Sequence, residues 1–98
     1  MPTKELVEEI DAAISIYERA IGHYAQRTRD MIKINGRIEA LSKLATSNGK
    51  LQHGFRVLRD NGQLEQTFEA IIVRYPDEFR ADVVGAAQWR LDNANNLQ

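Results

Sequence analysis

The sequence predicts an all-α fold, with one long N-terminal helix followed by three shorter helices packed on part of it. Three observations predict it. Apolar residues recur at alternating steps of three and four from Leu6 to Ala45. Thr3 is a good N-cap for that helix, with Glu5, Glu8 and Glu9 in the opening turns, where the helix dipole favours negative charge. Helix stop and start signals, Asn-Gly pairs and a Pro followed by two acids, then separate the later apolar clusters.

The first element spans about 3–46. Its stripe is Leu6, Ile10, Ala13, Tyr17, Ala20, Tyr24, Met31, Ile34, Ile38, Leu41 and Ala45, widened on one flank by Val7, Ile14 and Ile21. A stripe of this length in phase is the pattern of an amphipathic helix and of a coiled coil. Arg27 alone interrupts the register. A buried unpaired guanidinium is costly, so Arg27 is expected either on an exposed stretch or paired. Ser47-Asn48-Gly49 ends the helix, because Asn and Gly accept the left-handed backbone of a helix C-terminus. Asn35-Gly36 is the one candidate break within it, although the apolar register runs through it without a slip.

An unbroken helix over 4–46 would be ~65 Å long at ~1.5 Å per residue, against a radius of gyration of ~13 Å for a compact chain of this size. The rest of the chain covers only part of such a helix. The uncovered stripe then needs a second copy or another protein, and the sequence therefore predicts a homo-oligomer; a break at Asn35-Gly36 removes that need.

Residues 50–59 form the next helix, with Leu51, Phe55 and Leu58 on one face, stopped at Asn61-Gly62. Asp60 and Gln63 make a capping-box pattern for a helix carrying Leu64, Phe68, Ile71, Ile72 and Tyr75. Pro76 begins the last helix, with Asp77 and Glu78 in its first turn and Phe79, Val83, Ala86 and Arg90 along one side. Two features compete with this reading. Asn61-Gly62 is also a hairpin turn signal between residues 55–58 and 64–68. Asn-Gly also recurs at thirteen-residue intervals, at 35, 48 and 61, a period shorter than that of known solenoids.

Ninety-eight residues with 43% hydrophobic and 28% charged residues make a single globular domain. Without cysteine there is no disulfide or thiolate metal site, which fits a cytoplasmic setting. The first residues lack a basic region followed by an apolar core, and the longest apolar run, 70–73, is far too short to span a membrane. His23 and His53 have no partner at metal-ligand spacing, and no phosphate loop or nucleophile elbow is present. The sequence therefore calls for no catalytic residue, metal or cofactor.

What remains is charge. Residues 1–18 carry −4, residues 19–59 carry +7 and residues 60–98 carry −4. Arg29, Lys33 and Arg37, four residues apart, line one face of the predicted long helix, and Arg56 and Arg59 can add to it. Three readings follow: the stripe neutralises the acidic ends, contacts an acidic protein, or binds nucleic acid through residues 27–59. The last is weakened by a pI near 6.1 and by the lack of aromatics between the cations. The expected partner-binding residues are Arg27, Arg29, Lys33 and Arg37 with Tyr17, Tyr24 and Met31 from the apolar stripe. The expected function is non-catalytic protein binding, as an inhibitor or adaptor of the kind small cysteine-free phage or mobile-element proteins often provide.

Overall fold

The computed structural model describes residues 3–46 and 53–96. All the regular secondary structure among these residues is helical, with no strand, so the hairpin alternative at Asn61-Gly62 is not adopted. The α-helices are α1 (Lys4–Ile21), α2 (Gln26–Asn35), α3 (Arg37–Thr46), α4 (His53–Asp60), α5 (Phe68–Arg74) and α6 (Ala81–Asp92). Short 3-10 turns, Leu64–Gln66 and Pro76–Glu78, precede α5 and α6.

The long helix is thus three helices. Gly22, at φ 78° and ψ 14°, closes α1 in the left-handed conformation, its N–H donating to the Glu18 carbonyl. Residues 22–25 then turn the chain before α2 begins. Asn35-Gly36 is a true break: Gly36 sits at φ 84° and ψ 163°, a region nearly exclusive to glycine, where a side chain costs ~1–3 kcal/mol. An added Cβ there would meet nothing within 4 Å, so the constraint is one of backbone alone.

Later boundaries differ as well. The capping box at Asp60 and Gln63 does not start a helix. Thr67 does, its hydroxyl accepting the Ala70 N–H at 3.1 Å, and the segment before it is the 3-10 turn. Pro76 opens a 3-10 turn, and the last helix begins only at Ala81. Gly62 ends α4 as expected, with φ 73°. Of the three Asn-Gly pairs, those at 35 and 61 lie at helix ends, while 48–49 and the stop at Ser47-Asn48-Gly49 lie outside the described residues.

Folding back at 22 and 36 lets the two ends of the stripe enter one core. Leu6, Ile10, Ala13 and Ile14 of α1 meet Leu41 and Ala45 of α3, Ile71 and Ile72 of α5, and Phe79, Val83 and Ala87. Helix α5 lies against α1, α3 and α6. The radius of gyration is 12.3 Å, which a protruding rod would not allow. A second small cluster joins Phe55 to Ala94, flanked by Leu64 and Leu91. Glu69 and Arg90 form a buried ion pair at 2.9 Å, and Arg90 also donates to the Leu44 carbonyl at 2.9 Å.

Candidate functional site

The middle of the stripe stays outside this core. Ala20, Tyr24, Arg27 and Ile34 are exposed, Tyr24 at 73% and Ile34 at 79%, and α2 contains no buried residue. Helix α2 packs mainly on α3, across the Gly36 corner, and it is tied to α1 by charge.

That tie is Glu18. One of its oxygens accepts the Ala25 N–H at 2.8 Å and the Arg29 Nε at 2.7 Å, and the other accepts Arg29 Nη2 at 2.6 Å. Ala25 precedes α2 and has no capping side chain, so a carboxylate from α1 serves the start of α2 instead. The Arg29 guanidinium lies 5.7 Å from the centroid of the Tyr24 ring and holds it in a cation–π contact. The Arg29 hydrogen bonds draw the Glu18 carboxyl below the usual carboxylate range, against its partial desolvation. Earlier on α1 the Tyr75 hydroxyl, with Arg74, does the same to Glu9.

Between α1, the 22–25 turn, α2, α4 and the start of α5 lies a cleft of about 500 Å³. Tyr17, Ile21, Tyr24, Met31, Phe55, Leu58 and Phe68 give it apolar walls, and Arg27, His23 and His53 are among its polar groups. Tyr17 packs on α4, its ring 6.0 Å from that of His53 in an edge-on arrangement and 3.7 Å from where a Cβ of Gly54 would stand. Burial pushes the Tyr17 phenol up. Tyr24 and His23 also border a second, shallower hollow, lined by Ser15, Glu18 and Arg19. The His23 Nδ1 lies 3.0 Å from the Tyr24 carbonyl oxygen, which accepts from it.

The structure therefore sorts the expected site residues into two groups. Tyr17, Tyr24, Arg27 and Met31 come together at the cleft. Arg29, Lys33 and Arg37 do not form one helix face, because Gly36 separates Arg37 from the other two. Arg29 pairs with Glu18, and Arg37 pairs with Asp11 at 3.0 Å, so two of the three neutralise the acidic first helix within the chain. Arg27 is exposed at the cleft, resolving the question its register position raised. Sequence reasoning missed Glu18, the opposite cleft wall of Phe55, Leu58 and Phe68, and the exposure of Ile34. Among the described residues no group of three or more His, Asp or Glu side chains could hold a metal, and no helix is long and apolar enough to cross a membrane.

The Glu18 latch has a pH signature. Its folded-state pKa is depressed, so its contribution is complete above the ordinary unfolded value of ~4.3 and is lost as pH falls through the lower folded value. Glu69 has the opposite sign, since burial raises its carboxyl, opposed by Arg90. The difference between the parent and Glu18→Gln isolates the latch. Urea midpoints are expected to show the parent the more stable at neutral pH, with the gap closing as the pH falls below the ordinary unfolded value of ~4.3. A gap independent of pH would mean that Glu18 carries no charged latch.

Comparison with protein-family models, with curated proteins and with solved structures gives no match for this chain.

Proposed function

We propose that the protein is a non-catalytic binding module, an inhibitor or adaptor that docks on a larger protein through the uncovered middle of its apolar stripe. The observation that carries this reading is α2: a ten-residue helix with no buried residue, preceded by exposed Tyr24, carrying exposed Ile34 and bordering the apolar cleft. Tyr, Phe, Met and Arg are the residues enriched at protein interfaces, and Tyr24, Phe68, Met31 and Arg27 meet here. For self-association, the two ends of the 6–45 stripe are no longer on offer, since Leu6, Ile10, Leu41 and Ala45 are covered within the chain, and only its middle remains. Two copies meeting at α2 would set Arg27 and Lys33 of each against like charge, with Asp30 the helix's own carboxylate and Arg29 already held by Glu18. Nucleic-acid binding has less support than in the sequence, with Arg29 and Arg37 engaged by carboxylates.

Site-specific photocrosslinking in the native host tests this reading. The photoreactive amino acid p-benzoylphenylalanine at position 24 or 34 is expected to capture one and the same protein, while position 89, an exposed site on α6, captures none. Equal capture from all three positions, or none from 24 and 34, would overturn it. Salt-sensitive binding to generic duplex DNA without protein capture would transfer the assignment to nucleic acid.

A further inference from the structure

We propose that the cleft receives an amphipathic α-helix of the partner, which seats bulky apolar side chains between Tyr17, Phe55 and Phe68 and sets a carboxylate on Arg27. This rests on the protein-binding reading above and names the chemistry of the partner.

The first argument is backbone hydrogen bonding. No strand edge exists among the described residues, so an inserted segment finds no ladder for its N–H and C=O groups. A segment pressed into an apolar groove must then satisfy its own backbone, and a helix does so. The second argument is the polar inventory of the cleft. A volume of about 500 Å³ also suits a small molecule, which needs convergent polar groups to orient it. The buried polar groups here are already engaged. The Thr67 hydroxyl donates to the Leu64 carbonyl and accepts from the Ala70 N–H, and Glu69 pairs with Arg90. Its other polar side chains, His23, Gln26, Arg27, His53 and Gln66 among them, are exposed, so the buried part of the cleft offers apolar area and little orientation, which is what an amphipathic helix face needs. The third argument is charge. Of the cations at this face, Arg29 is held by Glu18, whereas Arg27 and Lys33 have no ion-pair partner among the described residues. Arg27 borders the cleft itself. An acidic flank on the incoming helix complements it, and a second copy of α2 does not.

The probe is a phage-displayed library of random peptides of about 12–15 residues, near the length at which isolated helices become marginal in water. It is selected on the intact protein. Enriched peptides are expected to carry bulky apolar residues three or four apart with at least one Asp or Glu, and to gain helical circular dichroism on binding. Thr28→Trp, which fills the cleft from a half-buried position on α2, and Arg27→Glu, at an exposed position, are each expected to weaken binding about tenfold or more. Arg27→Glu keeps the test decisive if Thr28→Trp does not fold. Enrichment of proline-rich or basic peptides, no enrichment, or peptides indifferent to Arg27→Glu would overturn the inference. Photocrosslinking from positions 24 and 34 would still succeed in those cases if only the partner's chemistry has been misassigned, and would fail if the protein-binding reading itself is wrong.

Discussion

Glu69→Ala is expected to destabilise the protein by about 3–5 kcal/mol, the usual consequence of removing one partner from a buried ion pair. The side chains of Glu69 and Arg90 are only 4% and 8% exposed, and their 2.9 Å contact joins α5 to α6. Truncating Glu69 leaves the guanidinium buried, with the Leu44 carbonyl still accepting one of its hydrogen bonds but no counter-charge at Glu69. Small domains have about 5–15 kcal/mol in all, so the loss is a large share. Replacing both partners, Glu69→Leu with Arg90→Met, is expected to be far milder, because desolvation of the charges disappears along with their attraction. Urea denaturation of the two variants decides it: equal losses would mean that the pair matters only as packing volume, and a single-variant loss under about 1 kcal/mol would mean that water reaches it.

Leu41→Ala is expected to cost about 2–5 kcal/mol, and Ile34→Ala, one heptad away on the same sequence stripe, within about 0.5 kcal/mol. Leu41 is fully buried, packed into the core with the α1 residues Leu6 and Ile10 and the α5 residues Ile71 and Ile72, so its truncation opens a cavity. Ile34 is among the most exposed large hydrophobic residues of the molecule. A continuous helix with one buried face would make the two losses alike. Thermal or urea unfolding of both single variants therefore tests the fold as well as the residues, and similar losses would contradict the division of the stripe described above.

The same pair of residues explains what the sequence could convey. Spacing reports which side of a helix a residue occupies, and on that count the all-helical class and the core residues Leu6, Ile10, Ala13, Leu41 and Ala45 were legible. Spacing does not report direction. The turn at 22–25 has about the length of one helical turn, so Ala20, Tyr24 and Met31 keep their phase in the sequence although the chain changes course between them. Gly22 is the local sign of that turn, since a glycine inside a helix costs ~1 kcal/mol relative to alanine. The cleft was half legible: Tyr17, Tyr24, Arg27 and Met31 stood in the stripe, but the opposing wall of Phe55, Leu58 and Phe68 depends on tertiary packing of α4 and α5. The basic stripe was legible as a neutraliser of the acidic first segment, but the particular pairings were not. Arg29 and Arg37 are 11 and 26 residues from the carboxylates they pair with, and separations of that kind have no signature in local periodicity.

Glu18 bears on how this face would meet another molecule. With one carboxylate it holds the Ala25 N–H and, through Arg29, the ring of Tyr24 above it. Tyr24 is therefore exposed yet restrained, by a contact of about 0.5–1 kcal/mol, and part of the rotational freedom of Tyr24 and Arg29 is given up when the chain folds. Ordering such side chains at an interface ordinarily subtracts about 0.5–1.5 kcal/mol each from affinity. Here part of that entropy is lost at folding, within one polypeptide, and association at this face starts from two side chains already biased toward one arrangement.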